Sequence, residues 1–114
     1  MKYIKHYEMI EAEKEVKNLK KYVIWREPET VHPVKESRDL FLLQVMSKNI
    51  KTIVTKCLYK VIGTTLYENP NKKNRTTTHS TYEFLTEYAI EQSNDLEELK
   101  EKIILINIRD KYNI

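Results

Sequence analysis

The apolar residues between Ile50 and Ile62 recur at a spacing that strongly constrains the fold. Counted from Ile50, they follow at +3, +4, +7, +8, +11 and +12, which would place them on one face of an α-helix. A strand would instead mix lysine and isoleucine on both faces. The spacing therefore predicts a helix that ends at Ile62, and Gly63, the only glycine of the chain, is expected to close it in a left-handed conformation.

The residues before this region predict a second helical stretch. Ser37 is suited to cap a helix that runs through Met46, with Asp39 in its first turn. The apolar spacing allows this helix to continue to Ile62, but residues 47–49 favour a break because Ser and Asn compete for backbone hydrogen bonds. One long helix and two helices joined by a short turn both remain open, and the second arrangement has the outline of a helix-turn-helix.

The N-terminal third predicts a helix, a short strand and a loop. Up to about Lys21, apolar residues alternate at spacings of three and four, which is typical of an amphipathic helix. Residues 22–26 are β-branched and aromatic, as in a strand, although they also fit the end of that helix. Residues 27–37, EPETVHPVKES, predict a loop because each proline lacks a backbone donor and restricts the residue before it.

The C-terminal half predicts a hairpin followed by helical stretches. Thr-rich segments flank an Asn/Pro/Lys turn, which favours a β-hairpin near residues 64–82 with a basic tip; a disordered basic loop is the alternative. Residues 80–91 fit either a helix or a strand. From Asn94 a capping pattern precedes apolar residues at helical spacing, whereas residues 103–109 also fit a final strand.

The expected architecture is one α+β domain over residues 1–114, mainly helical with one β-hairpin and loosely like a winged helix. With 114 residues, 40% of them hydrophobic, the chain is long enough to bury one core. Its longest apolar runs have four residues, far short of the ~20 that span a bilayer, so no membrane association is expected. Because Cys57 is the only cysteine, we expect a reducing, intracellular, cytoplasmic setting.

Charge is segregated along the chain although the net charge is only +3. Residues 48–75 carry seven Lys/Arg and one acid, whereas residues 76–101 carry seven acids and one lysine. Lysines along one helix edge, followed by a basic hairpin tip, would contact successive phosphates. The residues predicted to bind nucleic acid are Lys48, Lys51, Lys56, Lys60, Lys72, Lys73 and Arg75.

Catalytic chemistry has little support in the sequence. His6, His32 and His79 are isolated from one another and no nucleophile motif surrounds a serine. One glycine cannot build a phosphate-binding loop, and one cysteine with three histidines does not form a zinc motif within one chain. We therefore expect no enzyme activity, no cofactor and no metal site.

The sequence as a whole predicts a small non-enzymatic binding protein. We expect electrostatic docking on nucleic acid or on a host nucleoprotein. The alternative is an inhibitor or adaptor that binds a host protein without touching nucleic acid, because eight tyrosines and one tryptophan suit a protein interface; a homodimer is also compatible with the segregated charge. Abundant Lys, Asn, Ile and Tyr indicate A/T-rich codons, which are common in phages, viruses and plasmids and equally in low-GC bacteria; we expect an origin in a phage, virus or mobile element.

Overall fold

The computed structural model describes residues 13–69 and 75–112. Within them, the strands are β1 (Tyr22–Arg26), β2 (Leu40–Lys48), β3 (Thr52–Ile62), β4 (Thr65–Glu68), β5 (Thr76–Ser80) and β6 (Ala89–Ser93). The helical elements are α1 (residues 13–18), a 3-10 turn (Lys35–Ser37), α2 (Thr81–Glu83), which continues as a π-helical stretch (Phe84–Tyr88), and α3 (Leu96–Tyr112).

The expectation of a mainly helical, winged-helix-like domain with one hairpin is wrong. Strands make up 41% and helices 36% of the described residues, and all six strands belong to a single antiparallel sheet. The strand order is β4-β3-β2-β1-β6, and β5 also pairs with β3. The chain therefore folds around a sheet, and its helices pack on that sheet.

The outer edge of β3 is shared by two strands. β4 pairs with its C-terminal part, from Tyr59 to Ile62, and β5 pairs with its N-terminal part, from Thr52 to Lys56. β4 and β5 are both antiparallel to β3. They therefore run in the same direction, as two halves of one interrupted edge strand. The predicted hairpin over residues 64–82 is therefore wrong, since its flanks pair with β3; most of its expected tip, residues 70–74, lies outside the described residues.

The predicted helix over residues 50–62 is a strand instead. Both faces of β3 are covered, with Ile53 buried in one core cluster and Val61 in another, so its apolar residues need not alternate strictly. Register shifts where β2 pairs with β3 disturb the alternation further. Gly63 does adopt a positive φ of 60°, but it does so in the tight turn between Ile62 and Thr65 rather than at a helix end.

The predicted helix from Ser37 through Met46 is also wrong. Ser37 ends a 3-10 turn, and β2 begins at Leu40. The predicted break at residues 47–49 corresponds to the turn between β2 and β3. There the Asn49 side-chain oxygen accepts hydrogen bonds from the backbone N–H groups of Lys51 (2.8 Å) and Thr52 (2.9 Å), an Asx-type turn.

Other predicted elements are confirmed. Residues 22–26 form a strand, and residues 27–37 connect β1 to β2 with only a short 3-10 turn. The N-terminal helix is present at residues 13–18, and the rest of its predicted start lies outside the described residues. Of the open alternatives, residues 81–88 are helical and lead into β6, and residues 103–109 belong to α3.

The side of the sheet that α3 covers is called the helix face. Its core cluster consists of buried residues from three strands and from α3: Ile24, Leu40, Leu42, Val61, Leu99 and Ile103. Two polar contacts fix α3 on this face. Arg26 donates to Asp110 at 2.6 Å, and the buried Asn107 side chain donates to the Gly63 carbonyl at 2.9 Å.

The opposite side is called the groove face, and the described residues cover it only in part. Its core cluster contains Leu19, Val23, Leu43, Ile53 and Phe84, which bring the end of the N-terminal segment and the π-helical stretch against the sheet. Phe41, Trp25 and Cys57 pack against this cluster but stay only partly buried. The uncovered part of this face forms the candidate site.

Candidate functional site

The candidate site is a groove of about 510 Å³ on the groove face. Its apolar lining comes from neighbouring strands: Trp25 from β1, Phe41 and Leu43 from β2, and Cys57 from β3. Strand pairing brings them together, because Trp25 lies opposite Phe41 and Leu43 lies opposite Cys57. Its volume is within the roughly 300–1,000 Å³ typical of small-molecule sites.

An aromatic cluster forms one wall of the groove. The Trp25 ring lies 5.8 Å from Phe41, 5.5 Å from His79 and 6.2 Å from Tyr88, measured between ring centroids. His79 in turn lies 4.9 Å from the buried Phe84 ring. All four contacts are tilted or edge-on, the arrangements that the ring quadrupoles favour. The wall is therefore held by contacts from several elements.

One hydrogen-bonded pair adds polarity to the apolar lining. The Thr55 hydroxyl lies 2.8 Å from Nε2 of His79, with the donor set by the histidine tautomer, and Thr55 is only 1% exposed. Burial lowers the pKa of His79, so the imidazole is neutral at pH 7. The pair can orient a ligand through one hydrogen bond without adding charge.

Cys57 lines the groove as a thiol. Its Sγ lies 3.6 Å from the Tyr59 carbonyl. Burial raises the pKa of Cys57, although that hydrogen bond and the charge of Lys60 act in the opposite direction. The thiolate is the reactive form, so this environment disfavours nucleophilic chemistry and leaves Cys57 as a small apolar lining residue.

The described lining of the groove carries charges of both signs. Glu27 and Glu68 are acidic and Lys60 is basic. The Lys60 ammonium lies 3.3 Å from an Asp39 carboxylate oxygen and 5.7 Å from the centre of the Phe41 ring. Such a lining does not concentrate positive charge, so it is better suited to a neutral or weakly polar ligand than to a polyanion.

Two of the residues predicted to bind nucleic acid have their ammonium groups engaged within the fold. Lys48 donates to the carbonyls of Leu19 at 2.8 Å and Lys17 at 3.3 Å, and Lys60 pairs with Asp39. Lys60 also lies opposite Phe41 on the groove face, whereas Lys56 lies opposite Gln44 on the helix face. The helical stripe on which the prediction relied is thus divided between the two sides of a strand.

The remaining predicted residues are spread over the surface. Lys51 is exposed in the turn between β2 and β3, and Arg75 is exposed just before β5. The length of β5 separates them, about 16 Å at the usual rise of a strand. Lys72 and Lys73 lie outside the described residues. Among those that are described, the structure does not gather the predicted set into one cluster.

Sequence reasoning missed the groove. His79 was expected to be an isolated histidine, and Trp25 was considered only as a general interface anchor. The β-branched residues of β3 were the available signal that residues 52–62 form a strand. Even that signal would not have shown that Trp25, Phe41 and Cys57 lie side by side, because this depends on the pairing of three strands.

The part of the chain that the structure describes shows neither a membrane-spanning helix nor a metal site. None of its helices has both the length and the apolar content needed to cross a bilayer. No three His, Cys, Asp or Glu side chains at residues 13–69 and 75–112 are grouped as metal ligands. In comparisons with known proteins, no family description, no curated protein and no solved structure matches this chain.

Proposed function

We propose that this chain is a non-enzymatic binding protein that holds a small, largely apolar molecule with an aromatic ring in the groove. The observation that supports the proposal is the groove itself, a concavity of about 510 Å³ that joins an aromatic wall to one buried hydrogen-bonding pair. Apolar pockets with few polar groups are the usual form of small-molecule sites.

The depth of the groove favours a small ligand over a flat protein partner. Its floor includes the buried residues Leu43 and Thr55, whereas Tyr67 at its rim is 51% exposed. A ligand ring placed between them would contact both the floor and the rim of the groove. An aromatic group that buries about 150–250 Å² gains roughly 4–6 kcal/mol at about 25 cal/mol/Å², and association costs reduce this gain. Before that reduction, a gain of this size corresponds to a Kd of about 40 μM to 1 mM, so the expected affinity is close to millimolar.

The chemistry of the groove favours binding over catalysis. Burial raises the pKa of Cys57 and lowers that of His79, so both groups stay uncharged at neutral pH. The thiol then lacks the thiolate charge that would make it a strong nucleophile, and two neutral groups do not form a thiolate–imidazolium couple. Their role in the proposal is to shape the lining and to offer one hydrogen bond.

A neutral fluorescent dye tests the proposal directly. N-phenyl-1-naphthylamine is apolar and aromatic, and its emission rises in an apolar environment. We expect a saturable increase with one dye per chain, accompanied by quenching of Trp25, the only tryptophan.

Two neighbouring substitutions provide a matched comparison. Thr77 lines the groove and lies opposite Thr55, whereas Thr76 lies opposite Lys56 on the other face. Both are exposed threonines of β5, so Thr77→Phe and Thr76→Phe change the strand in the same way. We expect Thr77→Phe to fill the groove and weaken dye binding at least tenfold, and Thr76→Phe to bind like wild type. Equal binding by both variants, or no saturable binding by wild type, would contradict the proposal.

A further inference from the structure

The side of α3 that points away from the sheet carries exposed apolar side chains. Leu99, Ile103 and Asn107 are the buried residues of the helix and face the sheet. On the other side, Leu105 is 61% exposed and Tyr112 is 64% exposed. With the half-buried Ile108, they form a second apolar stripe, which we call the outer stripe of α3.

Charge on the outer stripe changes sign along the helix. Glu101 precedes Leu105 by one turn, and Arg109 follows it by one turn, so the three side chains lie along one side of α3. Both charged residues are exposed. Within residues 13–69 and 75–112, neither Glu101 nor Arg109 takes part in a salt bridge. The stripe therefore offers one unpaired acid and one unpaired base at equal distances from a central leucine.

This arrangement is complementary to itself. When two copies of α3 lie antiparallel about a two-fold axis at Leu105, positions equally far before and after Leu105 come opposite each other. Glu101 of each copy then faces Arg109 of the other, so two symmetric ion pairs flank a Leu105–Leu105 contact. By the same symmetry, Tyr112 comes opposite Glu98, whose carboxylate already accepts from Ser93 and pairs with Lys102 within its own chain.

We propose that the outer stripe of α3 is a self-association surface that docks antiparallel on the same stripe of a second copy. The charge complementarity about Leu105 identifies the occupant, because the parallel arrangement would place Glu101 against Glu101 and Arg109 against Arg109. The proposal does not depend on the groove, which lies on the other side of the sheet.

The size of the stripe predicts a weak dimer. α3 has 17 residues, about 25 Å of helix at the usual rise, and one side of such a helix is smaller than the ~800 Å² per partner of a standard interface. Exposed ion pairs add little affinity; they determine orientation and partner choice instead. Self-association is therefore expected to depend on protein concentration and to weaken as salt is added.

Charge-reversal variants test both the surface and the orientation. Sedimentation equilibrium over a range of concentrations is expected to show monomer and dimer for wild type. Glu101→Arg and Arg109→Glu alone each place like charges opposite one another in the dimer, so each is expected to weaken self-association at least tenfold. A 1:1 mixture of the two single variants restores both ion pairs between unlike chains, and the double variant restores them between identical chains.

The outcomes are distinguishable from a loss of folding. Glu101, Leu105 and Arg109 are all exposed, so thermal unfolding followed by circular dichroism is expected to change little in any variant. Leu105→Glu removes the central contact and is expected to abolish the dimer. A wild-type protein that stays monomeric at the highest concentration, single variants that associate like wild type, or a mixture that does not associate would each overturn the proposal. None of these results bears on dye binding by the groove.

Discussion

His79 shows how a half-buried residue can pack in an aromatic cluster and still pair one of its ring nitrogens. Its ring contacts Trp25 and Phe84, and its Nε2 is paired with the Thr55 hydroxyl. Partial burial in the cluster lowers the pKa of His79 and so disfavours the charged imidazolium. The folded state thus depends on a neutral histidine.

This dependence predicts how stability varies with pH. Burial lowers the pKa of His79 in the folded chain, so below about pH 6.5, the ordinary histidine value, the unfolded chain binds the proton more readily. The contribution is fully present above that pH and is lost as the pH falls towards the folded pKa. As the pH is lowered, we expect the free energy of unfolding, measured by urea denaturation, to fall more steeply in wild type than in His79→Gln. Equal pH dependence would contradict this account.

Cys57 provides a chemical probe of the same groove. Because burial raises the pKa of the thiol and covers part of it, we expect iodoacetamide to alkylate Cys57 more slowly in the folded chain than in urea at the same pH. Mass spectrometry measures the rate. Bound N-phenyl-1-naphthylamine or Thr77→Phe is expected to slow it further, and Thr76→Phe is not. Equal rates in the folded and unfolded chain would show that the thiol is freely accessible.

Among the elements, α3 and β1 are joined by a largely buried ion pair. Nη2 of Arg26 lies 2.6 Å from Oδ2 of Asp110, and little of either side chain is exposed. We expect Asp110→Ala to lower the free energy of unfolding by about 3 kcal/mol, because it leaves the Arg26 charge buried without a partner. The double variant Arg26→Met/Asp110→Leu is expected to recover most of this loss. Chemical denaturation measures both, and a double variant that is no more stable than Asp110→Ala would contradict this expectation.

The elements also show which parts of the fold could be predicted. α3 buries one side, so Leu99 and Ile103 recur at helical spacing; this spacing favoured a helix after Asn94 but left residues 103–109 open between helix and strand. β3 is covered on both sides, with Ile53 in one core and Val61 in the other. A strand buried on both faces loses its alternation, and residues 50–62 matched the helical period by chance. Their β-branched side chains are the feature of this stretch that favours a strand.

The candidate site was less predictable than the elements because it depends on strand pairing. Trp25, Phe41 and Cys57 lie on three different strands and meet only in the observed register. Within that register, shifts between Leu42 and Leu43 and between Val45 and Ser47 change which side chains point into the groove. Neither the pairing nor these shifts can be read from the spacing of apolar residues along the chain.

At the scale of the whole molecule, the sheet separates the two proposed surfaces. The groove lies on one side, and the outer stripe of α3 lies beyond the helix face on the other. A second copy docked on α3 therefore leaves the groove of each copy open. The two proposals together describe a weak dimer with two outward-facing ligand sites.

The overall charge makes a separate prediction. Electrostatic docking on nucleic acid stays a proposal from the sequence. Lys51 and Arg75 are two of the exposed cations of the predicted set, whereas the exposed Lys48 donates to backbone carbonyls within the fold. If docking occurs, affinity for a mixed duplex falls steeply with salt, and Lys51→Glu/Arg75→Glu lowers both the affinity and the slope. Fluorescence anisotropy across a salt series measures this. Absence of binding at low salt would contradict nucleic-acid docking. It would leave the alternative from the sequence, an inhibitor or adaptor that binds a host protein.

The strand order has a consequence for how the chain folds during synthesis. β1 lies between β2 and β6, and β6 leaves the ribosome only after the other five strands. The apolar side chains of Ile24, Leu40 and Leu42 then stay uncovered until Leu99 and Ile103 of α3 pack on them. A nascent chain that has not reached residue 96 exposes this core and an open strand edge, which are the features that chaperones bind and that promote aggregation. Folding is therefore completed late, when α3 docks on the sheet.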